Sequence, residues 1–210
     1  MQILDRLSSR TGDRTQQHNS EVALVCLQNP QLLAEIAAGL KLADAEVVGD
    51  CAEVMCKVAE QQPNLMTPYA ESLFALLKHN KTRVRWETMH TIGLIAHTIP
   101  TIMARELANL AQIFRTDGSV IVRDWVIGAY GDYATVSAQA AVAVFPLLEE
   151  ALPLWEEKQA GRVLLALVQV QKSAPQLRDE CRAIAARYVE HGRAVVKQSA
   201  RTLLRAIESR

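Results

Sequence analysis

The residues able to do chemistry are few and scattered. The histidines are His18, His79, His90, His97 and His191, and the cysteines are Cys26, Cys51, Cys56 and Cys181. Glu87 stands three residues before His90, a spacing that puts a carboxylate and an imidazole on one helix face, as in di-metal bundles. Those bundles need a second such pair and further carboxylates, so with a single copy no metal and no cofactor are expected. His90 and His97 are seven apart and would share a helix face. Cys51 and Cys56 are five apart, about 500° around a helix, so they point in different directions and make no CxxC-type site. All four cysteines sit in apolar helical patterns, which suits reduced, buried thiols of a cytoplasmic protein. No Walker-type loop, GxGxxG, GxSxG or HExxH occurs. The chain reads as a binding protein and not as an enzyme.

Composition points the same way. Half of the 210 residues are hydrophobic and only 5% are aromatic. Ala, Leu, Val and Ile supply most of that apolar content, which suits packed helices. The 23 basic and 23 acidic residues balance, so no global field draws the chain to nucleic acid or to a membrane surface. No apolar run reaches 18 residues, and the first 20 are polar after one short apolar run, so neither a membrane span nor a signal peptide is expected.

Periodicity and helix-stop signals divide the chain into helices. Residues 1–18 read as a mobile arm, and 19–210 as one repeat domain. Asn19 or Ser20 would cap a helix ending before Pro30, Asp44 one reaching about residue 61, and Pro100 would open another. Further helices are expected over 31–40, 68–79, 81–98, 120–133, 137–152, 156–174, 176–190 and 193–209. Pro146 should kink or split the one it lies in. Val48, Val84, Val122, Gly161 and Val196 align at spacings of 36, 38, 39 and 35 residues. Helical pairs at such a period signal an all-α solenoid, an α-α superhelix of about five pairs, with an irregular bundle as the other arrangement.

The segment 117–133 resembles a HEAT repeat, and so do the units around it. That family places an acid late in a turn and an Arg six residues later, after a Val. Asp117 with Arg123 fits fully, and Glu156 with Arg162 fits with Glu for Asp. His79 with Arg85 keeps only the Arg, and His191 with Lys197 only a basic residue. The resemblance implies a structural ladder in which the acid receives helix-start N–H groups and pairs with the Arg of its own or the adjacent repeat. It also implies a scaffold that binds a protein or peptide partner, with no membrane and with a homodimer as one arrangement. The enzymatic relatives are not matched: no His-Glu dipeptide of the di-iron hydroxylases occurs.

HEAT-like solenoids line their concave wall with second helices. Phase at 100° per residue puts Val84, Thr88, Ile92, Ile95 and Ile99 on the core side. Trp86, His90 and His97 then face the wall, followed by Asp124, Gly128 and Gly131 and by Val163, Leu167 and Val170. A Trp beside a glycine trough and an aliphatic patch is a partner anchor. The same glycines equally suit close helix packing, with the aliphatic patch covered by a neighbour. The alternative function is a HEAT-like nucleic-acid-binding or DNA-repair protein of the alkylation-repair type, using Trp86, Asp124, Arg85, Arg123 and Arg162.

Overall fold

Helix-stopping residues set the elements. The computed structural model describes residues 2–12 and 15–209, and among these every regular element is a helix. The chain divides into two compact units, Met1–Ile99 and Pro100–Arg210. The first unit holds α1 (Ser8–Thr11), α2 (Gln17–Gln28), α3 (Leu33–Gly39), α4 (Ala45–Gln61), α5 (Ala70–Leu76) and α6 (Thr82–Ile95). The second holds α7 (Pro100–Thr116), α8 (Val120–Ala134), α9 (Ala138–Ala151), α10 (Ala160–Ser173), α11 (Arg178–Tyr188) and α12 (Ala194–Glu208). Among the described residues no helix is long and apolar enough to cross a membrane.

Local chemistry explains the boundaries. The Asp44 carboxylate accepts the Glu46 and Val47 N–H groups at 3.1 and 3.5 Å and starts α4. Ser119 and Ser137 do the same for α8 and α9. Pro30, Pro63 and Pro175 each open a 3-10 turn at a position where no N–H is needed. α6 stops at Ile95, short of the expected end, and a 3-10 turn over Ala96–Thr98 follows, with the Thr98 hydroxyl on the Ile95 carbonyl at 2.8 Å.

Two expectations fail here. Of the kink or split expected at Pro146 the split does not occur: α9 is one helix there, with Pro146 exposed and Val144, Phe145 and Leu148 buried. α10 begins at Ala160 and not near residue 156. Trp155, Glu156 and Glu157 take left-handed backbone at φ 55°, 56° and 58°, which no α-helix tolerates.

The N-terminal segment is also not a loose arm. Met1, Asp13 and Arg14 lie outside the described residues, but Ile3, Leu7 and Ser8 are buried. What docks them is polar. Asn19, buried inside α2, accepts the Ser8 N–H at 2.9 Å and donates to Asp50 and Glu53 of α4, both at 2.9 Å. The Ser9 N–H reaches Asp50 at 2.7 Å, and the Arg83 guanidinium of α6 donates to both carboxylates at 2.7 Å. Asp50 and Glu53 are 1% and 3% exposed, so two charges that water would otherwise solvate are held by protein donors alone. α1, α2, α4 and α6 are thereby fastened at one point.

Burial works against the Asp50 charge, yet the hydrogen bonds from Ser9, Asn19 and Arg83 outweigh it and hold this carboxyl below its ordinary value. An Asp is ordinarily half-protonated near about pH 3.9 in the unfolded chain. The stability drawn from the lowered folded value is therefore complete above that pH and is lost as pH falls through the folded one. Chemical denaturation of the native chain from about pH 5 down to about pH 3 should show this loss. Asp50→Asn should flatten the pH dependence. An unchanged slope in that variant would contradict the assignment.

Candidate functional site

The turns before α6, α8 and α12 share one construction. The Asp117 carboxylate accepts the Ser119 N–H at 2.8 Å, two residues on. His79 Nδ1 accepts the Lys81 N–H at 3.1 Å, and His191 Nδ1 accepts the Arg193 N–H at 3.0 Å. An imidazole nitrogen thus replaces the acid, so the two turns that seemed to lack it retain its function. Six residues on, Arg123 donates to the Asp117 carbonyl at 2.6 Å and Arg85 to the His79 carbonyl at 2.9 Å. The ladder arginines here ground themselves on backbone carbonyls.

The pairing of Glu156 with Arg162 does not occur. Glu156 lies in the left-handed turn beside Lys158, with its side chain 85% exposed. Arg162 instead pairs with Asp124 of the preceding second helix at 3.0 Å and lies over the Trp125 ring. Arg123, 2% exposed, stacks on the Trp155 ring 3.9 Å from its centroid, and the Trp155 ring N–H donates to the Phe114 carbonyl at 2.9 Å. Trp155 is therefore a brace among α7, α8 and the turn that carries it.

The expected wall residues part company. Val163, Leu167 and Val170 are all 0% exposed and cannot meet a partner. α10 packs against α8, α9 and α12, so only a narrow strip stays open: Arg162, Leu165, Gln169 and Lys172. That strip lies about 100° round the helix from the expected one. Part of its signal was present in the sequence, since Arg162, Gln169 and Lys172 recur at i, i+7 and i+10 in a mostly apolar helix, although the buried Gln171 blurs it.

Gly128 and Gly131 of α8 do line an open groove, of about 340 Å³. Ile127 and Asp132 of α8 and Thr135 just past its end join them, and Arg162, Leu165, Ala166 and Gln169 of α10 form the other bank. A Cβ at position 131 would stand 3.2 Å from the Ala166 Cβ and 3.3 Å from its Cα, so the glycine is what lets the helices meet at the floor. At 128 a Cβ would press the Trp125 ring at 3.1 Å. Leu165, 46% exposed, stands over this floor with no expected role. Arg162, on the α10 bank, is the residue paired to Asp124.

Trp86, His90 and His97 belong to the first unit. Trp86 is half-buried rather than exposed, and its ring N–H donates to Glu87 at 2.8 Å, so it is not a free anchor. His90 is half-buried, with Nε2 3.9 Å from Glu60. His97 is exposed in the 3-10 turn, off the α6 face it was expected to share.

No family model matches the chain, and no curated protein does. Solved structures do. A designed armadillo repeat protein in complex with the peptide (KR)4 has a TM-score of 0.71 at 16% identity, covering 98% of both chains. A computationally designed armadillo repeat protein for modular peptide recognition gives 0.68 at 15%, again with 98% of both covered. An engineered protein gives 0.66 at 18%, covering 100% of both. The fold is an armadillo/HEAT-like α-solenoid.

In such a solenoid the second helices carry the repeat-to-repeat contacts, and here their aim depends on the turn just described. His79→Ala should remove one acceptor and cost about 1 kcal/mol in thermal or chemical denaturation. His79→Asp, which restores the acceptor found at position 117, should stay within about 0.5 kcal/mol of the native chain. Equal destabilisation by both changes would show that the ring, not its acceptor nitrogen, matters.

Proposed function

We propose that this solenoid is a non-catalytic binding module that holds an extended peptide segment of a partner protein in the groove between α8 and α10. The observation that carries this reading is the groove itself, lined by Gly128 and Gly131 on α8 and by the exposed Leu165 on α10. Gly131 lets α8 and α10 meet at the floor, and the groove between their side chains is left to a peptide. Leu165 offers apolar contact, while Asp132 and Gln169 offer polar groups suited to backbone amides. The fold likeness to designed proteins, one of them solved with a (KR)4 peptide, supports the same class of ligand.

The nucleic-acid reading loses its donors. Arg85 and Arg123 are committed to backbone carbonyls and Arg162 to Asp124, so the cations that would neutralise phosphates already serve the fold.

Peptides selected from a random display library on the native chain should bind Leu165→Asp at least tenfold more weakly, a loss of about 1.4 kcal/mol or more. Val142→Asp, an exposed change on α9, should leave their affinity intact. Peptides that bind both variants as tightly as the native chain would place the site elsewhere, and a library that yields none would defeat the reading.

A further inference from the structure

The packing of α4 on α6 brings together three side chains of different chemistry. Cys56 comes from α4, and Glu87 and His90 from α6, and one potential ligand atom from each lies within 4.8 Å of the others. Among the described residues this is the one group of three or more His, Cys, Asp or Glu side chains so disposed. Cys56 is buried and the other two are half-buried, so the cluster is not a chance gathering of solvated surface acids. Zinc at 2.0–2.3 Å from tetrahedral sulfur, nitrogen and oxygen ligands sets them about 3.3–3.6 Å apart. The three side chains therefore need move only modestly, by rotamer adjustment of flexible groups.

Two surrounding residues fit the same purpose. Trp86 donates its ring N–H to Glu87 at 2.8 Å, fixing the carboxylate in the way outer partners orient metal ligands. Glu60, one turn beyond Cys56 on α4 and half-exposed, lies 3.9 Å from His90 Nε2 and can supply a fourth oxygen from the open side. The Glu87-x-x-His90 pair lacked a second copy in the sequence. The fold supplies the missing ligand from 31 residues upstream.

We propose that Cys56, Glu87 and His90 form a Zn2+ site that clips α4 to α6, with Glu60 or water in the fourth position. One thiolate, one imidazole and one carboxylate select zinc over magnesium or calcium, which take oxygen ligands. Binding forms a Zn–S bond as the Cys56 S–H bond breaks, and the proton passes to solvent. No oxidation state changes.

Titration of the reduced, untagged, metal-free full chain with Co2+ tests this site. One equivalent should produce the strong visible bands of tetrahedral cobalt and a near-ultraviolet thiolate charge-transfer band, both abolished by Zn2+. Cys56→Ser should remove the charge-transfer band. His90→Gln and Glu87→Gln, at half-buried positions, should each weaken Zn2+ binding at least tenfold while the helical circular dichroism is unchanged. Absence of the charge-transfer band in the native chain, its persistence in Cys56→Ser, or undiminished Zn2+ affinity in His90→Gln would each overturn the proposal.

Discussion

Within each unit, successive second helices come close together, and at each such junction a glycine meets the neighbouring helix. A Cβ at Gly49 would stand 3.3 Å from the Arg83 guanidinium, at Gly131 3.2 Å from the Ala166 Cβ, and at Gly161 3.5 Å from the Ser199 hydroxyl oxygen. Helical pairs cannot bury their apolar faces alone, so this stacking of second helix on second helix builds the core. The junctions differ in what fills the space the glycine leaves. Between α4 and α6 it is a guanidinium shared by two buried carboxylates. Between α8 and α10 it is an alanine.

That difference separates a fastened junction from an open one. At the first, donors from α1, α2 and α6 converge on Asp50 and Glu53, and removing any donor would leave buried charge unmatched. At the second, α8 and α10 touch at the groove's floor, and Arg162, Leu165 and Gln169 stand along one bank. The groove is the space left when two helices touch through glycine and alanine while their outer faces carry Asp132, Thr135 and Gln169. The groove thus arises from the same close approach that stabilises the stack.

Much of the fold was legible because its signals are local. Asp44 and Pro100 sit at or next to the helix starts they announce, and α4 and α8 run almost as their periodicity requires. What failed depended on distant partners or unusual backbone. Asn19 reads as a cap, but its partners lie 31 and 34 residues away and place it inside α2. The left-handed turn at Trp155 has no glycine to betray it. Val163, Leu167 and Val170 looked like an outward patch because periodicity shows an apolar stripe but cannot say that three helices cover α10. Of the candidate site, Gly128 and Gly131 were readable, whereas Leu165 was hidden by a rotation of one residue. The two histidine turns were hidden by chemistry, since an imidazole serving as an acid's substitute has no sequence signature of its own.

The account stands on the α8–α10 groove being where a partner sits. Methyl NMR of the full chain, recorded as a library-selected peptide is added, reads that location directly. The account predicts that the methyl signals of Ile127, Thr135 and Leu165 shift in proportion to occupancy while those of exposed Val195 and Leu24 stay still. Shifts confined to Val195 or Leu24, with Leu165 unmoved at saturation, would contradict it.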